Sequence, residues 1–294
     1  MDVLIRQLYQ DRASQPDTLA ILVVQKDLLP LSITDGFDIV ILLINNNQDI
    51  YWQVKHYKIG EKRVSFHSLS QAMMHQTLIV GNHRRLVDWL VNGKIVFDRN
   101  EYLQEVKERI ETFPPGDRSK KMTIQFTKTL RRFEEGKTLF QNGHLLDAFS
   151  NMMHALHHLA RLSVIEHGFY PEVTVWEQVK HIEPSTYKLY QELLKSEESL
   201  EQRIELLILA TELAVHSKTL SGANHFLSLI SDSERRYSIS DLMDIVETED
   251  YRVDLELLVR HLVSRGLINC YKEDTKAPGI MKTYYQFKKN EKIR

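Results

Sequence analysis

The residue with the clearest chemical potential stands at the start of a short apolar run. Asp38 directly precedes the six apolar residues Ile39 to Ile44, which predict a fully buried strand. A carboxylate where such a strand begins can hold a metal ion beside a phosphate group, so Asp38 is the candidate metal ligand. Two other carboxylates are close in sequence: Asp35 in the preceding turn and Glu61 in a predicted hairpin turn.

Transfer of a nucleoside phosphate needs more than one such carboxylate, because two magnesium ions about 3.5–4 Å apart stabilise the attacking and leaving oxygens. Alternate residues of a strand share a face, so a second ligand belongs two positions from Asp38. Those positions hold Gly36 and Val40. We therefore predict a domain without transfer activity. The alternative is an active magnesium-dependent enzyme that uses a displaced carboxylate from Asp35 or Glu61.

The elements that position Asp38 form a small α/β or α+β domain. Hydrophobic periodicity over residues 1–115 predicts the order helix, strand, strand, hairpin, helix, strand, helix. The first two strands are predicted at Leu19–Val24 and Phe37–Ile44. The segment Phe113-Pro114-Pro115-Gly116 combines two prolines with a glycine and predicts a linker that closes this domain.

This first domain resembles a nucleotidyltransferase domain of the polymerase-β type in its small bacterial form. The order of elements and the segments Asp35–Leu42 and Val91–Asp98 carry the resemblance. The full chain is similar to a bacterial family of nucleotidyltransferase-like proteins with a C-terminal helix-turn-helix domain. The resemblance implies Mg²⁺ and ATP or GTP as ligands. The Gly-Ser turn of that family is replaced here by Val24–Asp27, which adds to the prediction of a degenerate site.

Two further domains are predicted after this one. Residues 116–231 contain no convincing strand, and their apolar spacing predicts a bundle of four to six helices. Residues 232–294 predict a winged helix, with two short helices, the second from Asp254 to Gly266, and two alternating strands around Pro278-Gly279. The expected fold class is multidomain α+β, with a nucleotidyltransferase-like mixed sheet at 1–115, a helical bundle and a winged helix-turn-helix.

Basic residues are concentrated at the start of the helical segment. Residues 118–137 carry seven basic side chains against two acidic ones. Lys128, Arg131 and Arg132 share one face of the predicted helix and are the candidate contacts for the phosphates of a nucleotide or nucleic acid. A solvated helix face explains the same pattern.

The C-terminal segment also carries an excess of basic residues, which suit contacts to DNA phosphates on the predicted wing and tail. Against DNA binding, the predicted recognition helix opens with Asp254 and Glu256, and carboxylates at that position repel the duplex. DNA and a protein partner, including a second copy of the chain, therefore both stand as interpretations. The candidate nucleic-acid contacts are Lys272, Lys276, Lys282, Lys288 and Lys289.

Two short histidine patterns lie in the helical segment. His154 and His158 are four residues apart on one helix face, a spacing that can bind a metal, but no third ligand is specified. Arg161 and His167 resemble the Arg-x(4–6)-His motif of ribonucleases of the HEPN class, in which Arg would bind a phosphate and His would transfer a proton. Both patterns are short, so ordinary surface and core-edge side chains explain them as well.

Composition restricts the function classes. The net charge of −2 predicts no general attraction to nucleic acid or membrane, and the single cysteine excludes an internal disulfide framework. The longest apolar runs have six residues, too short for a membrane helix, so a cytoplasmic location is expected. We interpret the sequence as that of a regulatory or scaffolding protein. An active nucleotidyltransferase is the alternative, and a ribonuclease of the HEPN class is the weaker one.

Overall fold

The computed structural model describes residues 3–26, 31–47, 51–231, 235–277 and 279–288. The chain forms two compact units. The first contains the residues up to Pro114 together with Gly168–Val175, and the second contains Pro115–His167 together with the residues from Trp176 onward. The predicted helical bundle and the predicted winged helix thus lie in the same compact unit.

The first unit is a mixed β-sheet with helices, as predicted. Its described elements are α1 (Val3–Ala13), β1 (Thr18–Gln25), α2 (Leu31–Thr34), β2 (Ile39–Asn45), β3 (Gln53–Ile59), β4 (Lys62–Ser70), α3 (Gln71–Val80), α4 (Arg85–Asn92), β5 (Lys94–Asp98) and α5 (Tyr102–Thr112). The strands lie in the order β3-β4-β2-β1-β5. The pair β2 and β4 is parallel, and the other neighbouring strands are antiparallel.

Strand β2 lies at the centre of this sheet. All seven of its residues are buried, which confirms the strand that its unbroken apolar sequence predicts. Successive side chains point to opposite faces, so β2 contributes to two cores. Ile39 and Ile41 pack with Val64 and with Ile5 of α1 on one face. The opposite face, which carries Val40, lies against α3.

The described part of the second unit is helical apart from one hairpin. Two long helices, α6 (Pro115–Gln141) and α7 (Leu145–Glu166), form its centre. They approach closely at Gly136, where an added Cβ atom would lie 2.8 Å from Met152 Sδ. The helices that follow α7 are α8 (Val175–Ile182), α9 (Pro184–Lys195), α10 (Leu200–Ser217) and α11 (Thr219–Ser231). None of the helices in the described ranges is long and apolar enough to cross a membrane.

A winged helix-turn-helix follows α11, as predicted. Between α11 and the next helix, Tyr237 forms a single antiparallel bridge with Tyr285, which ties this segment to the wing. The elements of this part are α12 (Ile239–Met243), a 3₁₀ helix (Val246–Asp254), α13 (Leu255–Ser264), β6 (Ile268–Asp274) and β7 (Met281–Phe287). By its place in this order, α13 corresponds to a recognition helix.

Helix α13 packs against the bundle as well as against its own neighbours. Leu258 and Leu262 are buried on its inner side. His261 lies on a second side, with its Nε2 atom 3.0 Å from Thr219 Oγ1 on α11 and its ring 5.8 Å from the ring of Phe126 on α6. These contacts explain why the bundle and the winged helix form one compact unit.

The segment that contains Pro114, Pro115 and Gly116 is where the two compact units divide, but Pro115 and Gly116 belong to a helix, so the prediction that they form a linker is wrong. Pro115 is the first residue of α6, which continues for 27 residues. Proline suits the first turn of a helix, because its ring fixes φ near the helical value and its missing N–H would have no partner there. The connection from α5 to α6 therefore consists of Phe113 and Pro114 alone.

Candidate functional site

Asp38 lies between the end of β1 and the start of β4. Its backbone N–H donates to Arg63 O at 3.0 Å, and its carbonyl accepts from Lys26 N–H at 3.0 Å. Both carboxylate oxygens have partners: Oδ2 accepts from Arg63 N–H at 2.8 Å, and Oδ1 lies 3.8 Å from the Lys26 ammonium. The hydrogen bond from Arg63 and the charge of Lys26 lower the pKa of Asp38, so this side chain is an ionised carboxylate at neutral pH.

Two positions beside Asp38 decide whether this face of the sheet can hold two metal ions. Val40 follows Asp38 on the same face, and Ser65 lies beside Val40 in the parallel pairing of β2 and β4. Val40 is 1% exposed and Ser65 is 2% exposed. An alkyl group and a hydroxyl thus occupy the places from which further carboxylates would reach the ions. The residues that the structure describes here do not fit a two-magnesium site.

The other two candidate carboxylates have separate cationic partners. Asp35, in a turn with a φ of 55°, pairs with Arg85 of α4. Glu61, at the tip of the β3–β4 hairpin, lies 3.7 Å from Lys58 and has a side chain that is 97% exposed. Within the described ranges, no three His, Cys, Asp or Glu side chains are grouped so that they could hold a metal ion. The structure therefore does not gather these carboxylates with Asp38 around one ion.

A Trp–His–Ser chain on the Asp38 face of the sheet was not predicted. Its centre is His67, whose Nε2 atom lies 2.8 Å from Ser65 Oγ. On the other side of the ring, Trp52 Nε1 donates to His67 Nδ1 at 3.0 Å. Because an indole N–H can only donate, Nδ1 accepts, and His67 carries its proton on Nε2 and donates it to Ser65. A catalytic Ser–His pair has the opposite polarity, since there the histidine takes the proton from serine.

Burial keeps this histidine neutral. Desolvation lowers the pKa of His67 to about 4, and the charge of His83 adds to this effect. Trp52 also stacks on His83 with ring centroids 4.3 Å apart, and Trp89 donates from Nε1 to Ile33 O at 2.8 Å. The cluster joins β4, α4 and two loops, so we interpret it as packing that supplies no nucleophile.

Three family models match successive parts of this chain. Residues 1–118 match a model described as nucleotidyltransferase-like, residues 119–218 match a YgxA-like substrate binding domain, and residues 224–287 match a helix-turn-helix domain. The chain is 39% identical over 289 residues to the Bacillus subtilis (strain 168) protein named "Uncharacterized protein YgxA", and the match covers 98% of both chains. The chain belongs to the YgxA-like family of nucleotidyltransferase-like proteins.

A solved structure supports the same assignment. The crystal structure of a nucleotidyltransferase-like protein from Exiguobacterium sibiricum 255-15 is similar with a TM-score of 0.80 and 40% identity, over 96% of this chain and 97% of that one. The resemblance to nucleotidyltransferase-like proteins with a C-terminal helix-turn-helix domain is thereby confirmed. In this YgxA-like chain, the region that matches the substrate-binding model begins within α6.

The predicted basic face lies on α6, but its arginines meet different neighbours. Arg131 forms an ion pair with Asp254, which directly precedes α13. Arg132 donates to Glu135 Oε2 and to Asn151 Oδ1 on α7, both at 3.1 Å. The side chain of Arg132 remains 40% exposed, whereas that of Asp254 is only 11% exposed. Arg131 thus contacts the winged helix, and Arg132 remains partly exposed to solvent.

Lys128 is the third candidate on this face. Burial, together with the charge of Lys128, lowers the pKa of His158 on α7 to about 3. Burial raises the pKa of Asp254, and the charges of Arg131 and Lys128 oppose that shift. The charge of Lys128 therefore acts on groups of both α7 and the segment that leads into α13.

The predicted histidine patterns are not assembled into sites. His158 binds Gln125 of α6 at 3.1 Å, whereas His154 is exposed. Arg161 is 4% exposed, while His167 is exposed at the end of α7 with its Nδ1 atom 2.8 Å from the carbonyl oxygen of Ser163 on its own helix. Residues six apart on a helix are separated by about 240°, so Arg161 and His167 lie on different faces.

The wing presents basic and acidic residues together. Glu273 accepts from Arg236 at 2.8 Å and lies opposite Lys282 in the β6–β7 pairing. At the start of α13, Asp254 is nearly buried, and Glu256 is exposed. Of the candidate nucleic-acid contacts, Lys272, Lys276, Lys282 and Lys288 are exposed, and Lys289 lies outside the described residues.

Proposed function

We propose that this YgxA-like protein does not transfer nucleotides and acts as a regulatory or scaffolding protein. The observation that carries the proposal is the position of Asp38 beside Val40 and Ser65. Two magnesium ions carry four positive charges, which a single carboxylate cannot balance. The Lys26 ammonium, 3.8 Å from Asp38 Oδ1, adds a further positive charge that would repel a metal ion.

An assay of nucleotide turnover tests this proposal. The full chain is incubated with ATP or GTP, Mg²⁺ or Mn²⁺ and a mixture of hydroxyl and amine compounds as acceptors of the nucleotidyl group, and release of pyrophosphate is measured for the wild type and for Asp38→Asn. We expect both proteins to release pyrophosphate at the rate of the buffer alone. Release by the wild type that is abolished in Asp38→Asn would overturn the proposal and establish Asp38 as a metal ligand.

We further infer that the winged helix contacts a partner protein in preference to DNA. Glu256 is exposed on the first turn of α13, where a base-reading residue would stand, and its charge repels the duplex. On the wing, Glu273 follows Lys272 in β6 and lies opposite Lys282 of β7. Its negative charge therefore reduces the positive electrostatic potential of the wing. These charges suit a protein surface of mixed sign.

Duplex binding at several salt concentrations separates the two partner classes. For a protein partner, we expect weak binding to mixed-sequence duplexes that changes little in a variant with Lys272, Lys276 and Lys282 replaced by Gln. For a DNA-binding wing, affinity would fall steeply with salt, and this variant would reduce the salt slope by about 1 for each phosphate that a lysine no longer neutralises. That second result would contradict the inference.

A further inference from the structure

A groove in the second unit is formed by α6, α7 and α13. Its volume is about 540 Å³, which lies in the range of small-molecule sites in proteins. The lining combines guanidinium, carboxylate, amide and apolar groups, and it includes Arg132, Glu134, Leu139, Asn151, Leu257 and Arg260. Residues from all three helices therefore converge on one space.

Two guanidinium groups in this groove have surface to offer a ligand. Arg132 is tethered to Glu135 and Asn151, which orients its planar group at the junction of α6 and α7. Arg260 enters from α13, is exposed, and makes no ion pair with the described residues. Arg132 forms its ion pair with a carboxylate that is 46% exposed, so solvent weakens that pair. A third arginine of the lining, Arg131, pairs instead with Asp254, whose side chain is only 11% exposed. Arginine forks bind phosphate oxygens with two parallel hydrogen bonds, so Arg132 and Arg260 are suited to phosphate groups.

The charge around the groove favours an anion at one end. Lys128 of α6 lies outside the groove lining, but its charge acts on His158 of α7 and on Asp254. His158 is neutral at physiological pH and adds no charge of its own. With Arg132 one helical turn further along α6, Lys128 places a second cation on the same face.

The other lining groups restrict the kind of anion. Glu134 and Glu135 would repel an extended polyanion such as a nucleic-acid backbone, but they can accept hydrogen bonds from hydroxyl or amino groups. Leu139 and Leu257 supply apolar surface for a flat or hydrophobic group. The groove thus suits a ligand that is anionic at one end and neutral at the other.

We propose that this groove binds a nucleotide-sized phosphorylated small molecule, whose phosphate groups contact Arg132 and Arg260. The site lies entirely in the second unit, so it goes beyond the proposed function and does not depend on Asp38. Because Arg260 belongs to the recognition helix, a bound ligand would tie α13 to α6. Binding of the ligand would then affect the position of the winged helix, which is the part proposed above to contact a partner protein.

Calorimetric titration of the full chain with ATP, and separately with inorganic pyrophosphate, tests the proposal without magnesium. The variants are Arg260→Gln and Arg132→Gln. The matched control is Arg252→Gln, an exposed arginine on the neighbouring 3₁₀ helix that is outside the groove lining. Circular dichroism checks that each variant is folded, which the exposure of Arg260 makes the expected result.

We expect ATP to bind more tightly than pyrophosphate, because it also fills the apolar part of the groove. Arg260→Gln and Arg132→Gln should each weaken ATP binding about 10-fold or more, and Arg252→Gln should leave it unchanged. Absence of binding by both probes at about 1 mM would overturn the proposal. ATP binding that is unchanged in both groove variants would also overturn it. Asp38→Asn is titrated in parallel and should bind ATP like the wild type. Loss of binding in Asp38→Asn alone would overturn the groove proposal and would also contradict the proposed function, whereas absence of binding by every protein would overturn the groove proposal only.

Discussion

The guanidinium group of Arg131 on α6 forms an ion pair with the carboxylate of Asp254, the residue that directly precedes α13. A second pair follows the same path, because Lys120 of α6 lies 2.6 Å from Asp250 of the 3₁₀ helix. The two carboxylate side chains are 11% and 12% exposed. Both pairs join the bundle to the segment that leads into the recognition helix, so they fix the position of α13 on the bundle.

We predict that Arg131→Ala lowers the free energy of unfolding by about 1–3 kcal/mol, because Asp254 is left as a nearly buried charge without its partner. Asp254→Asn removes that charge, so the double variant should recover part of the stability. Urea denaturation of the wild type, the two single variants and the double variant measures the coupling. Strictly additive effects would show that the two side chains do not interact.

The contact between α11 and α6 gives a second prediction about this unit. A Cβ atom added at Gly222 would lie 2.5 Å from Cγ of the buried Phe126 ring, which cannot move freely. Gly222→Ala should therefore destabilise the protein by about 1–3 kcal/mol through overpacking. Gly116 on α6 has no atom within 4 Å of its added Cβ, so Gly116→Ala is the matched control, expected to be neutral or slightly stabilising. Equal melting temperatures for the two variants would contradict the packing of α11 on α6.

The Trp52–His67 hydrogen bond makes a prediction about proton position. We expect His67 to be neutral, with its proton on Nε2, down to about pH 5.5, as measured by nitrogen NMR. An unfolded histidine has a pKa near 6.5, whereas burial lowers the pKa of His67 to about 4. Between those two values the unfolded chain binds more protons, so stability from this group falls as pH falls. A proton on Nδ1, or titration of His67 near its ordinary pKa, would contradict the proposed polarity.

The buried carboxyl group of Asp88 should make folding stability depend on pH in the opposite direction. This α4 carboxyl is 5% exposed. Burial and the charge of Glu172 raise its pKa to about 6, although Val173 N–H donates to it. The folded chain therefore binds more protons than the unfolded chain between about pH 4 and 6, and stability falls as pH rises through that range.

Replacement of Asp88 by Asn removes this penalty while keeping an acceptor for Val173. We expect Asp88→Asn to be more stable than the wild type by about 1–2 kcal/mol at pH 8, and the difference should shrink toward pH 4. Urea unfolding at pH 4, 6 and 8 measures it. A difference that is constant with pH would mean that Asp88 keeps its ordinary pKa.

The central strand and the basic helix face were predictable from the sequence because each depends on local spacing. Six consecutive apolar residues after Asp38 can be buried on both sides only in an interior strand, and the structure has one there. The shared face of Lys128, Arg131 and Arg132 follows from helical periodicity alone. Pro114 and Pro115 led to the wrong prediction of a linker that includes Pro115 and Gly116, because proline occurs both in linkers and in the first turn of a helix.

The partners of these residues were not predictable, because they come from distant parts of the chain. Ser65 stands beside Val40 only through the parallel register of β2 and β4, which no local pattern specifies. Asp254 has the sequence position of an exposed carboxylate at the start of a recognition helix, but the docking of that helix on α6 buries it beside Arg131. Arg260 carries no signal in the sequence, since its place in the groove depends on the same docking.

The most direct test of the proposal that this protein does not transfer nucleotides is calorimetric titration of Mn²⁺ into the full chain with saturating ATP. The titration is made for the wild type and for Asp38→Asn. We predict that the two proteins take up Mn²⁺ identically, because Asp38 is held by Arg63 and Lys26 and, among the residues that the structure describes, no second carboxylate shares its site. Tight Mn²⁺ uptake by the wild type that disappears in Asp38→Asn would contradict the proposed function and show that this strand still carries a metal site.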